Sequence, residues 1–414
     1  MSKFKKTKFL IFLFLILTGL SFFFLDNIRI IARAYIPGNV KVLIKEKFFG
    51  KQYLEEIAQY RMSNYNQKVL PESQFEYINI EEVKLKKFNN QNRFYVENYK
   101  DDFIALSSQS DMLLVKGDDL TNQISISNNL SNNKFLDIQD FKIFDNKIIV
   151  AARKLKNETD ECSNILILLS EINEPVNNFK FKKIYESEKC AISNKSIKIE
   201  KSQINNNILI ATSANYAHGK AIDEDKLAQS DSSIFGKILS LNLENRNIKI
   251  LAKGIRFPKS ITNFNGKILF TDGYNYNGDE INIFEDGANY GWPIASLGED
   301  DNTIEILDKK ISYKYEKNHS KLNFREPIIS FLPSILINSL INIPDDFSVY
   351  WKNDFLLSGG TNIYRIKFDS NFKKVIYSER IVSNSYIEDV IYLSKTKVFV
   401  FSSYGKILVL KKKG

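Results

Sequence analysis

An all-β, six-bladed β-propeller is the fold predicted for most of this 414-residue chain, and three observations predict it. Short runs of Ile, Val, Phe and Tyr, each bounded by Asn, Asp, Gly or Ser, recur from about residue 75 onward, the pattern of strands punctuated by turns. A loose module repeats about six times at roughly 40 to 60 residues, the scale of a four-stranded blade. It consists of an Asn- or Asp-bearing turn, an apolar strand and a second strand ending in charge. With 43% hydrophobic and 13% aromatic residues, the chain can bury a large core, which excludes a disordered polymer. A pair of β-sandwiches would use the same strands, and periodicity alone leaves that alternative open.

In chain order, the first element is an anchor. Lys3, Lys5, Lys6 and Lys8 precede an uncharged apolar run over 9–25, closed by Asp26. A helix of that length nearly crosses a ~30 Å hydrocarbon core, with the lysines on the cytoplasmic side. Residues 1–26 therefore read as a cytoplasmic tail and single-pass transmembrane signal-anchor of the inner (plasma) membrane, with the C-terminal body in the periplasm or outside. A cleaved signal peptide ending at Ala32-Arg33-Ala34 and a buried core helix are the competing readings. The charge also points to a membrane: residues 1–70 hold 12 Lys or Arg against 4 Asp or Glu, so most of the formal +9 surrounds the apolar run. A nucleic-acid-binding body would carry its own basic stripe, and no nucleic-acid partner is expected.

Residues 27–70 read as a juxtamembrane helix and linker, with Leu54, Ile57 and Ala58 at helical spacing beyond Pro37 and Gly38. Residues 71–414 form the predicted propeller. Its last module offers only three strands before Lys411, so an early strand near Tyr77 to Lys84 is expected to complete that blade. Cys162 and Cys190 are the whole cysteine supply. In an oxidising compartment such a pair reads as a disulfide, since zinc would need both His218 and His319 as well; two unrelated buried thiols are the alternative.

The segment Asp279-Glu280-Ile281-Asn282, continuing to Gly287 and then Asn289-Tyr290-Gly291-Trp292-Pro293, resembles a hairpin of the glucose/sorbosone dehydrogenases. Three further segments resemble that family in the same order: Ala228-Gln229 with Phe235-Gly236-Lys237-Ile238-Leu239, Gly254-Ile255-Arg256-Phe257-Pro258, and Trp351 through Arg365 to Asp389-Val390. The resemblance runs from about residue 200 to the end. It implies a six-bladed propeller that oxidises aldoses by hydride transfer to pyrroloquinoline quinone (PQQ), with a His as base and Ca²⁺ polarising the quinone.

Carried over residue by residue, the resemblance gives a mixed site. The family's base position falls in Ala191-Ile192-Ser193-Asn194-Lys195-Ser196, which has no His, leaving His218 as the candidate catalytic base. Of the cations that a tri-anionic cofactor needs, Arg256 is kept, whereas an Arg pair becomes Tyr386 and Glu388. Lys259 and Lys220 are the nearest substitutes. The central cavity is therefore expected to present Arg256, Tyr274 and Tyr386, with no His paired to a carboxylate and no cluster of three cations. For Ca²⁺, the resemblance implies the backbone carbonyls of Gly273 and Tyr274 at the catalytic ion, and Glu280 with the Tyr290 carbonyl at a structural ion. The favoured function is a non-catalytic module binding a sugar or an envelope component; an active PQQ- and Ca²⁺-dependent sugar dehydrogenase with a rebuilt site is the alternative.

Overall fold

The structure, a computed structural model, describes residues 78–412 except 89–91, 134, 156, 158–161, 204–205, 215–225, 274–277, 299–300, 307–308, 314 and 384. The expected anchor and juxtamembrane helix lie outside the described residues. No helix among the described residues is long and apolar enough to cross a membrane.

The repeated module becomes a strand hairpin because its turn residues accept left-handed backbone. Asp145 and Asn146 have φ of 52° and 58°, and Asn265 and Gly266 have 48° and 78°, the pattern of tight turns between twisted strands. Six blades of four antiparallel strands result, the first extended by the short strand Asn178–Phe179, which pairs parallel with Gln123–Asn128. Their inner strands are Phe94–Tyr99, Leu136–Phe144, Ile197–Lys201, Pro258–Phe264, Ile337–Asn342 and Asp389–Leu393, for blades 1 to 6. Each inner strand neighbours the next and the sixth neighbours the first, so the ring is closed and the sandwich alternative is overturned.

Interior strands of a blade are covered on both faces by the adjoining blades, which explains their unbroken apolar runs. Ile165, Leu166, Ile167 and Leu168 of blade 2 are all buried. The cores lie between successive blades; between 6 and 1, for example, Phe103 and Leu113 pack with Val400 and Val409.

Blade 6 is completed across the ends of the described chain. Strand Ile78–Lys84 pairs antiparallel with Lys406–Lys412, from Ile78 opposite Lys412 to Lys84 opposite Lys406, which is the closure expected from the sequence. Ion pairs Lys406–Glu82 (2.6 Å) and Lys411–Glu81 (2.7 Å) accompany it. Blade 4 carries an insertion between its third strand, Asp279–Ile283, and its fourth, Ile329–Phe331. The insertion holds a two-stranded hairpin and a short 3-10 helix, His319–Leu322.

Candidate functional site at the channel mouth

The inner strands surround a central channel and run alongside one another. Hydrogen bonds link neighbours near their starts: Val96 N donates to Asp389 Oδ2 (3.0 Å), Ile199 N to Asp140 Oδ2 (2.9 Å) and Ser196 Oγ to the Pro258 carbonyl (2.6 Å). Three of these strands are irregular at that end. Their registers shift between Ile138 and Asp140, between Pro258 and Ser260, and between Ile337 and Leu340. Such bulges re-aim side chains, and here they fall at Gln139, Lys259 and the Asn338-Ser339 pair.

Side chains from several blades meet at this mouth. Arg93 pairs with Asp137 (3.2 Å), which Arg153 also engages (3.1 Å). The buried Lys198 donates to the Gln139 carbonyl (2.9 Å), and its ammonium lies 4.4 Å from the centre of the Tyr95 ring. Lys259 lies 4.6 Å from the Phe257 ring centre. Burial lowers the Lys259 amine to about 8; Glu388 opposes the shift, and the charges of Lys198 and Arg93 add to it. Those three groups belong to blades 6, 3 and 1. Arg93 directly precedes the inner strand of blade 1, and Lys198 and Lys259 are the second residues of the inner strands of blades 3 and 4, so the three cations lie at the same end of the ring. Tyr386 stacks on Tyr404 at 5.5 Å between ring centres and donates to Asn338 Oδ1 (3.4 Å). Asn338 in turn donates to the Ile387 carbonyl (2.6 Å).

A second layer of the channel is acidic. Glu97 pairs with Lys142 at 2.8 Å, yet burial still pushes its carboxyl up to about 7. Burial also raises Glu200 and Asp389, against the attraction of Lys142.

The residues carried over by resemblance fall mainly in the walls. Arg256 is buried; its backbone N–H binds Asp272 (2.9 Å), its guanidinium donates to the Gly278 carbonyl, and it lies 5.3 Å from the Trp292 ring centre. It is the counter-charge for Asp272, Asp279 and Glu280, all raised by burial and lowered by Arg256, with Glu280 at about 7. Tyr290 donates its hydroxyl to the Ile283 carbonyl (2.6 Å), and its backbone hydrogen-bonds His319. No group of three Asp, Glu, His or Cys side chains placed to share a metal occurs among the described residues. Gly273 donates to the Phe257 carbonyl (3.1 Å), and a Cβ there would meet Ile337 at 2.4 Å and Asp279 at 2.5 Å. Tyr274, His218 and Lys220 lie outside the described residues.

The segment after Asp279–Ile283 does not return as a hairpin. It crosses to blade 3, where Lys253 N donates to the Ala288 carbonyl (3.0 Å) and Tyr290 N to the Lys253 carbonyl (2.9 Å). Trp292 then donates to the Ala214 carbonyl (2.7 Å), so this motif ties two blades together. Cys162 and Cys190 are bonded, Cα atoms 5.5 Å apart. The bond holds the connection that leads into the strand carrying Lys198.

Residues 175–409 match the family model described as Glucose / Sorbosone dehydrogenase. No curated protein matches the chain. Among solved structures, the soluble aldose sugar dehydrogenase (apo form) of Escherichia coli is similar, with a TM-score of 0.64 and 13% identity, over 81% of this chain and 100% of that one. The PQQ-bound aldose sugar dehydrogenase of Streptomyces coelicolor has a TM-score of 0.57 and 10% identity, over 83% and 100%. The pyranose dehydrogenase PQQ domain of Coprinopsis cinerea, in its holo form, has 0.60 and 7%, over 82% and 98%.

Proposed function

The chain belongs to the glucose/sorbosone dehydrogenase family, and on that premise we propose that its channel mouth binds an anionic ligand without the family's histidine-based oxidation. The observation that carries this reading is that Arg93, Lys198 and Lys259 all sit at the starts of inner strands, at one end of the ring, with Arg93 and Lys198 both acting on the Lys259 charge. Three cations beside the flat Tyr386–Tyr404 stack suit an aromatic polycarboxylate or an acidic sugar of the envelope.

The donor set suits the negative charge of PQQ. Arg93, Lys198 and Lys259 would hold its carboxylates, and the bound quinone would supply a two-electron acceptor for an alcohol. The chain offers little for the accompanying proton. Of its two His, His319 is buried in the blade 4 insertion, with Nδ1 3.6 Å from Glu326 and its basicity lowered by burial. A base would have to come from His218 or from a group of another type. The reading includes anchorage by residues 9–25 with the propeller exoplasmic, supported by the apolar run and by a disulfide of the kind that persists in oxidising compartments.

The test is a PQQ titration of the detergent-solubilised full chain, with and without Ca²⁺, alongside aldose oxidation. Saturable binding lost in an Arg93→Met, Lys198→Met double variant is expected, with turnover at background. Turnover that disappears in His218→Ala would replace this reading with the active dehydrogenase. Absence of saturable binding by PQQ and by acidic sugars would remove the anion site.

A further inference from the structure

Lys259 is specifically placed. It is the residue at which the inner strand of blade 4 breaks register, between Pro258 and Ser260, and it is half-buried rather than sealed in a blade core. No ion pair or hydrogen bond partners its ammonium among the described residues; the aromatic face of Phe257 lies beneath it instead. Arg93 before blade 1 and Lys198 on blade 3 repel it, while Glu388 at the start of blade 6 and Asp279 on blade 4 attract it. A lysine desolvated beside other cations is the arrangement that leaves an amine nucleophilic near neutral pH.

We propose that Lys259 forms an imine with the carbonyl carbon of an aldehyde or ketone that also carries a carboxylate or phosphate. The inference rests on the anion-binding reading: Arg93 and Lys198 hold the anionic group and bring the carbonyl to the amine. The neutral amine adds to the carbonyl carbon to give a carbinolamine, with a proton passing from nitrogen to oxygen. Loss of that oxygen as water leaves a carbon–nitrogen double bond. No oxidant or reductant is consumed, and hydrolysis reverses the step.

Pyridoxal 5′-phosphate, an aromatic aldehyde with a phosphate, is the probe. The full chain in detergent is incubated with it, reduced with cyanoborohydride, and mapped by peptide mass spectrometry. Labelling of Lys259 about tenfold or more faster than the exposed lysines is expected at neutral pH, because most lysines stay protonated there. The labelling rate should rise through a midpoint near the Lys259 value of about 8. Lys198→Met should slow it several-fold, by removing both the anion's partner and the neighbouring charge. Lys259→Arg should abolish this label while the far-ultraviolet dichroism and thermal midpoint stay unchanged. Labelling spread over exposed lysines with none at Lys259 would overturn the proposal. Saturable PQQ binding together with no trapping would overturn the imine and leave the anion site standing. Equal trapping of pyridoxal lacking the phosphate would overturn the anionic half of the ligand class.

Discussion

Arg365 is the clearest case of a residue whose motif role is structural. Its guanidinium binds Asp354 (2.8 Å) and Glu379 (3.2 Å) and lies 4.7 Å and 4.9 Å from the ring centres of Trp351 and Tyr377. The Trp351-to-Arg365 resemblance thus encodes a buried clamp in blade 5. Arg365→Leu is expected to destabilise by about 3 kcal/mol, the low end for breaking a buried pair, because Asp354 is left buried with only Lys367 (3.2 Å) as counter-charge. Lys at this position should recover little, since the fork and the stacking are lost; urea unfolding of both variants checks this. Glu97 gives a pH signature. Its folded carboxyl titrates near 7, above the ~4.3 of an unfolded chain. Between those values the folded protein holds a proton that the unfolded chain has released, so this group's contribution to stability falls as pH rises through the window. Glu97→Gln should flatten that slope, measured as urea midpoint against pH. The channel cations were legible only in part: Lys259 reads as a substitute cation from the sequence, whereas Arg93 and Lys198 read as ordinary strand-edge charge until ring closure sets all three at the same end.

At the scale of elements, turns and strands were legible and their pairing partly so. The Asn- and Asp-bearing turns announced hairpins because their left-handed backbone is a local property, and the missing outer strand of blade 6 followed from counting strands. The crossing of residues 287–292 to blade 3 was not legible, because it depends on backbone partners at Leu251 and Lys253 that no local pattern encodes. The bond between Cys162 and Cys190 is expected to stabilise by roughly 3 to 4 kcal/mol in the chain-entropy account, given their separation of 28 residues. A Cys162→Ser, Cys190→Ser variant should lose stability of that order in denaturant. It should also weaken anion binding, because the connection leading to Lys198 is no longer pinned. Free thiols under denaturing alkylation of the wild type would remove both expectations.

For the whole molecule, the anchorage proposed above has the lysines before the apolar run orient the chain across a membrane, while the sequence beyond residue 70 is near neutral. A protease added to intact spheroplasts is expected to cut the propeller and leave a membrane-bound fragment containing residues 9–25; protection of the propeller would reverse the orientation. The closure of blade 6 also sets an order of events. As the chain leaves the ribosome, Ile78–Lys84 is the first of the described strands to be made and its partner Lys406–Lys412 the last. Throughout synthesis it is therefore an orphan edge, able to template onto a neighbouring copy or onto the wrong blade. Its Glu81, Glu82 and Lys84 act as gatekeepers during that wait, since charge on an unpaired strand discourages adventitious pairing. Once Lys406 and Lys411 arrive, two of those charges become cross-strand partners, so the residues that kept the edge apart then favour its proper mate.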